Sequence, residues 1–250
     1  MTFISISKDN GIAIVTLNRS KVNALNEPFI EQLNSTFINL ENDKTVEAVI
    51  ITGQGKFFSF GFDIPELLGY SKESFTRYLI KFTNLYTSMF LFPKPLVAAL
   101  NGHTIAGGCM LSLACDFRII VSEKAKISLN EISFGALVFA GSIELLKYCV
   151  NQRNAESILF SGKMYSANEA IKLGLVDQIS SYEKLMDDSI KIAREFANKD
   201  KTAFRGLKSL LRKPVAEEMK KKEMDSIRKF VDVWYSKETR KSLKKIKIYS

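Results

Sequence analysis

The chain has 250 residues, 46% hydrophobic and 25% charged, with a formal net charge of +9. That composition excludes a disordered or collagen-like chain, and no apolar run approaches the roughly 18 residues of a membrane span. The single His103 and the apolar-flanked Cys109, Cys115 and Cys149, with no Cys-x-x-Cys pair, argue against zinc chemistry and read as buried free thiols.

Residues 1–7 alternate like a strand and lack a basic stretch followed by an apolar core, so no signal peptide is expected. The C-terminal Ile248-Tyr249-Ser250 matches no recognised targeting tripeptide. A cytoplasmic location is the default expectation. Charge is unevenly placed: residues 201–250 hold 16 Lys/Arg and 6 Asp/Glu, a local balance of +10, so the remainder carries −1. A basic final fifth on a neutral body is either a solvated helical face or a surface for an anionic partner.

In chain order, residues 2–8 and 12–18 read as two strands around Asn10-Gly11, a hairpin signal. Phe29, Leu33, Phe37 and Leu40 give a helical stripe over 27–41, with Asn26 as its cap. Val46 to Thr52 is a strand ended by Gly53. An aromatic-rich stretch, Phe57 to Phe62, is broken by Gly61, and Asp63 is placed to cap the short helix that follows. Residues 71–92 form a long helix stopped by Pro93. The run Leu96 to Leu100 is a buried strand, Asn101-Gly102 a turn, and Ala106-Gly107-Gly108 opens an apolar helix. Strands follow at 117–121 and 127–129. Helices are predicted near 141–150, 152–161 and 166–173, then an extended segment at 174–178. Further helices follow over 183–198, 201–212 and 215–234, with a weaker one at 237–247. No internal repeat is visible. Strands alternating with helices, then helices alone, predict an α/β core with a helical C-terminal region.

The Gly107-Gly108 pair carries the first chemical signal. It places main-chain N–H groups at a buried helix N-terminus, where an anion, or an oxygen that becomes one, is stabilised. Glycine there also lets the backbone approach a ligand closely. Read alone, the pair fits equally a helix packed tightly on a strand.

Five stretches together resemble the crotonase superfamily of enoyl-CoA hydratases and isomerases. They are Lys21-Val22-Asn23-Ala24-Leu25, Phe57 to Ile64, Asn101 to Asp116, Leu129-Asn130-Glu131, and Ala170 to Asp177. The resemblance implies a single domain over 1–250, with a spiral of ββα units (1–195) and a trimerising helical region (196–250). It implies an acyl-CoA thioester as substrate, with no cofactor or metal, since CoA is part of the substrate. The Phe62 and Gly107 amides become the donors of an oxyanion hole. Ser59, Phe60, Gly61, Asp63 and Ile64, with Lys21 and Ala24, become CoA contacts. Hydratases of the family hold water between two glutamates. Here one of those positions is Met110 and the other is Glu131.

A lone carboxylate suits removal of a proton from C2 of a 3-enoyl thioester and its return at C4. The pattern is therefore most similar to the delta-3, delta-2-enoyl-CoA isomerases, with a hydratase or other crotonase-type reaction, or a non-catalytic CoA-thioester or RNA-binding member, as the alternatives. Apolar neighbours (Leu129, Ile132, Phe134) are expected to raise the pKa of Glu131. A homotrimer or dimer of trimers is expected. CoA phosphates rank above RNA as the anion met by the basic tail, because aromatics for base stacking are few there. His103 and Glu144 are expected to play no catalytic part, and Asp116 to satisfy buried backbone groups.

Overall fold

The computed structural model describes residues 2–122 and 124–248. Tyr249 and Ser250, part of the C-terminal tripeptide, lie outside the described residues. The chain opens with the predicted hairpin, β1 (Ile4–Asp9) and β2 (Ile12–Leu17), paired so that Asp9 faces Ile12. Asn10 and Gly11 both take left-handed φ values, 46° and 80°. That is the two-residue turn whose twist matches its strands.

There follow β3 (Ala24–Leu25), α1 (Glu27–Asn42), β4 (Ala48–Gly53), β5 (Phe57–Ser59), β6 (Gly61–Phe62), α2 (Ile64–Leu67) and α3 (Lys72–Phe90). The Asn26 side chain caps α1 by accepting the Phe29 N–H at 3.1 Å. Asp63 caps α2 by accepting the Glu66 N–H at 3.3 Å. The middle of the chain supplies β7 (Leu96–Leu100), β8 (His103–Ile105), α4 (Gly107–Leu113), β9 (Phe117–Val121), β10 (Lys126–Ser128) and a 3-10 turn (Glu131–Phe134). Then come α5 (Ala140–Val150), α6 (Gln152–Ser161), β11 (Tyr165–Ser166), α7 (Ala167–Leu173), β12 (Gln178–Ser180), α8 (Leu185–Ala197), α9 (Lys201–Trp234) and α10 (Lys237–Leu243).

Among the described residues a larger sheet runs β1-β2-β4-β7-β9-β12 and a smaller one β11-β10-β8-β5. Apart from the β1–β2 hairpin, every pair in the larger sheet is parallel. Successive strand pairs β4/β5, β7/β8 and β9/β10 each give one strand to each sheet before the chain leaves through helices. This is the expected spiral of ββα units. Buried on both faces, the central strands read as continuous apolar runs, Val49-Ile50-Ile51 and Leu96 to Leu100.

Two expectations change. The turn at Asn101 is followed directly by a strand, β8, because His103 N–H bonds the Lys56 carbonyl at 3.0 Å and extends the smaller sheet. The two helices expected over 201–212 and 215–234 are one, with Pro214 inside α9. Proline removes one intrahelical bond, but α9 is anchored on both sides of it. Upstream, Lys208 and Arg212 grip Asp116. Downstream, Phe230 and Trp234 stack in the core.

Candidate active site

The site forms where two parallel strands end. Thr104 and Ile105 of β8 pair with Ile127 and Ser128 of β10. The last rung is the Ala106 N–H bond to the Ser128 carbonyl at 2.8 Å. Immediately beyond it one chain enters α4 at Gly107 and the other reaches Glu131 three residues on. Ligand sites favour such carboxyl ends of strands. Glu131 is near enough to Cys109, two residues into α4, that its charge adds to burial in raising that thiol's pKa.

Glycines shape the donor side. Gly61 has φ +93°, and a Cβ there would lie 2.9 Å from the Gly107 nitrogen. Any other residue at 61 would press on the amide that the resemblance names as a donor. Ala106, just before α4, takes φ 49° without glycine's freedom, a backbone conformation that costs energy. It offers no side-chain cap. The first N–H groups of α4 have no acceptor within the helix. A Cβ on Gly107 would touch Leu25, Phe62 and Phe82 at 3.2–3.3 Å, so an apolar wall closes against this amide. That wall continues through ring contacts of Phe62 with Phe82 (4.9 Å), Tyr78 (5.2 Å) and Phe139 (6.3 Å).

Glu131 opens the 3-10 turn and is only 5% exposed. Its Oε2 has no hydrogen-bond partner. An unpaired buried carboxylate is costly when charged. Burial accordingly pushes its pKa up to about 8, with a contact to its own backbone pulling the other way. A group so tuned can both accept and return a proton near neutrality.

The residues expected to contact CoA lie on or beside the paired strands β3 and β6, and much of their hydrogen bonding is internal. Ser59 donates its hydroxyl to the Asn23 carbonyl (2.7 Å) and accepts the Gly61 N–H (3.1 Å). The N–H groups of Phe60 and Asp63 bond to Val22 and Leu25 carbonyls. None of these three donors is Phe62, the residue that the resemblance names. The Asp63 carboxylate is buried against Arg19 at 2.8 Å. Ile64 is buried, and Ala24 is buried with its carbonyl taken by Arg19 at 2.6 Å. Phe60 packs on a small cluster of Val22, Ala24 and Ile248. Lys21 is exposed and lines a surface cavity of about 770 Å³ with Lys56, Phe57 and Ile248.

Three organisers of this region are not evident from sequence. Arg19 joins Asp63, Glu66 and Ala24. The Asn23 side chain accepts Arg19 N–H and donates to Phe57 O. Tyr78 donates to Leu25 O at 2.8 Å. Asn23 lies within the Lys21-to-Leu25 motif and Arg19 just before it, but only folding shows what they bond.

Other candidates fall where expected or further inside. Met110 is 2% exposed within the core. The His103 ring packs on Phe57 at 5.0 Å, and burial lowers its pKa. Glu144 pairs with Lys147 (3.0 Å) and Lys222 (2.9 Å). Asp116 accepts the Leu96 N–H at 2.7 Å, as expected, and also holds two buried cations of α9.

A parallel ββα spiral that brings a buried carboxylate and a glycine-gated helix start to neighbouring strand ends defines a crotonase-type protein. A family model described as enoyl-CoA hydratase/isomerase matches residues 7–247, and the chain belongs to that family. It is 34% identical over 195 residues to a mitochondrial enoyl-CoA hydratase of Pongo abelii, covering 78% of this chain and 66% of that one. A putative enoyl-CoA hydratase of Thermus thermophilus is 34% identical over 206 residues, 80% of each chain. The human mitochondrial delta3-delta2-enoyl-CoA isomerase superposes with a TM-score of 0.94 at 27% identity, covering 98% of this chain and 96% of that one. The sequence relatives are named hydratases, and the solved structures that superpose include both an isomerase and enoyl-CoA hydratases.

Proposed function

We infer that the protein is an isomerase that moves the double bond of a 3-enoyl-CoA to the 2-position. The observation that carries this reading is the lone carboxylate: Glu131 is buried with one oxygen unpartnered, while Met110 stands where hydratases of the family place their other glutamate. The C2 proton lies between the thioester carbonyl and the double bond. Glu131 removes it, and the electrons spread from C2 through the carbonyl to the oxygen and to C4. The Gly107 and Phe62 amides meet the new negative charge, each worth roughly 3 kcal/mol of barrier when fixed in advance. Glu131, now neutral and stable so in its apolar surroundings, returns the proton at C4. The product is the conjugated 2-enoyl thioester, and no water enters the balance.

Lys21 and Lys56 beside the exposed cavity suit the CoA phosphates. Leu207, Leu210 and Leu211 on α9 are 62%, 77% and 62% exposed, an apolar face that suits contact with other copies in a trimer or dimer of trimers. Hydration of 2-enoyl-CoA is the second reading, favoured by the names of the sequence relatives. Purified protein incubated with 3-hexenoyl-CoA and, separately, with 2-butenoyl-CoA separates the two. We expect conjugated product from the first and no hydroxyacyl product from the second. Glu131→Gln should lower kcat by roughly 10²- to 10⁴-fold with KM little changed. Hydration by the wild type, or full activity in the variant, would overturn the reading.

A further inference from the structure

Helix α5 begins without a cap of its own, because Phe139 precedes it and offers no acceptor. Its first N–H groups are instead satisfied by α9, more than eighty residues away in sequence. Ser226 Oγ accepts the Ala140 N–H at 3.1 Å and Glu223 Oε2 accepts the Gly141 N–H at 2.7 Å. The other Glu223 oxygen accepts the Tyr86 hydroxyl of α3 at 2.7 Å. Glu223 and Ser226 are three apart and so share one helix face. A carboxylate at a helix N-terminus is also where the macrodipole favours it. The fit is close: a Cβ on Gly141 would lie 2.2 Å from Glu223 Oε2 and 2.6 Å from the Tyr86 hydroxyl.

The segment these bonds secure leads straight to the candidate base. Residues 135–139 connect the Glu131 turn to α5. At the near end, Ala136 N–H bonds the Glu131 carbonyl at 3.0 Å. At the far end the Phe139 ring stacks on Phe230 of α9 at 4.5 Å and lies 6.3 Å from the Phe62 ring. We propose that Glu223 is a positioning residue for the isomerase site, acting through the start of α5 to hold both the Glu131 turn and the ring wall behind Phe62. The inference rests on the reading of Glu131 and Phe62 given above. A serine or aspartate at 139 would cap α5 equally well. Capping from α9 instead makes the geometry of the site depend on how the C-terminal helix is seated.

The experiment compares the full-length wild type, Glu223→Ala, Glu223→Gln and Ser226→Ala, with Glu131→Gln as reference. Each is measured for kcat and KM on 3-hexenoyl-CoA, for thermal unfolding, and for amide hydrogen exchange over 131–141. In Glu223→Ala, kcat should fall by at least ~10-fold with KM changed by less than ~3-fold, the signature of misplaced chemistry rather than lost binding. Exchange over 131–141 should quicken while the core strands stay protected. Glutamine can accept from Gly141 and donate to the Tyr86 oxygen, so Glu223→Gln should restore kcat to within about threefold. Ser226→Ala, which removes one of the two bonds, should lie between, and serves if Glu223→Ala does not fold. A lowered melting temperature with unchanged kcat and unchanged exchange at 131–141 would overturn the proposal. So would a Glu223→Gln variant as impaired as the alanine. If the wild type fails to turn over substrate, or Glu131→Gln is fully active, the isomerase reading has failed. The exchange data still decide whether Glu223 holds the segment.

Discussion

Glu131 is the residue on which the proposed chemistry turns, and its burial has a consequence for stability as well. Its pKa rises from 4.5 to about 8 on folding, chiefly through desolvation. The folded protein therefore holds this proton more tightly than the unfolded chain. That stabilisation is complete below pH 4.5 and is lost as the pH climbs towards 8, by about 1.4 kcal/mol for each pH unit crossed between those two values. Glutamine carries no charge to bury. Glu131→Gln should therefore melt at a higher temperature than the wild type at pH 9, with the gap closing at pH 5. Equal melting temperatures at both values would mean that the carboxylate is solvated.

The sequence made Glu131, Gly107 and Phe62 legible only as positions in a motif. Nothing in Leu129-Asn130-Glu131 distinguishes a buried acid from an exposed loop carboxylate. What carries it to the start of α4 is the β8–β10 pairing, a contact between segments more than twenty residues apart. The role of Gly61 was equally hidden, since a glycine in a strand is silent about which amide it spares.

At the level of elements, the C-terminal helix is held by an ionic clamp that the charge count concealed. Two of the sixteen cations after residue 200, Lys208 and Arg212, are 7% exposed. They meet the Asp116 carboxylate at 2.7 and 2.9 Å. Arg212 also donates to the Phe90 carbonyl at 2.8 Å. Burial draws the Lys208 pKa down to about 8 against the pull of Asp116. Removing the shared acid strands both cations in the interior, which costs about 3–5 kcal/mol. For a chain of this size each kcal/mol moves the midpoint by roughly 2–4 °C. Asp116→Ala should therefore melt roughly 10 °C lower, read by circular dichroism, and replacing all three charged groups by apolar ones should recover most of the loss. A melting curve unchanged in Asp116→Ala would contradict the clamp. The same anchoring explains why Pro214 does not break α9. Proline's local preference is worth about 3 kcal/mol, and contacts on both sides outweigh it.

Over the whole molecule, the alternation of strands and helices was readable, but the spiral was not. Its smaller sheet is built from β5, β8 and β10, three residues each, and the two-residue β11, all too short for a periodic signal. The ββα units share a path and not a sequence, so no repeat was visible. Only the resemblance supplied the spiral in advance. The exposed leucines of α9 are what support the proposed trimeric assembly. A trimer of 28.2 kDa chains weighs about 85 kDa, three times the single chain, and a dimer of trimers twice that. Light scattering after gel filtration should give one of these masses. A 28 kDa monomer at working concentration would contradict the trimeric reading.

The central claim is that one acid carries one proton from C2 to C4. The most direct test follows a label. With 3-hexenoyl-CoA deuterated at C2 and converted in ordinary water under single-turnover conditions, mass spectrometry and NMR of the product should find part of the deuterium at C4. The label rides on the buried Glu131 carboxyl, shielded from exchange, until it is delivered. Complete washout at C4, with solvent hydrogen supplied there in every molecule, would mean that a different group or water returns the proton, and would contradict the account.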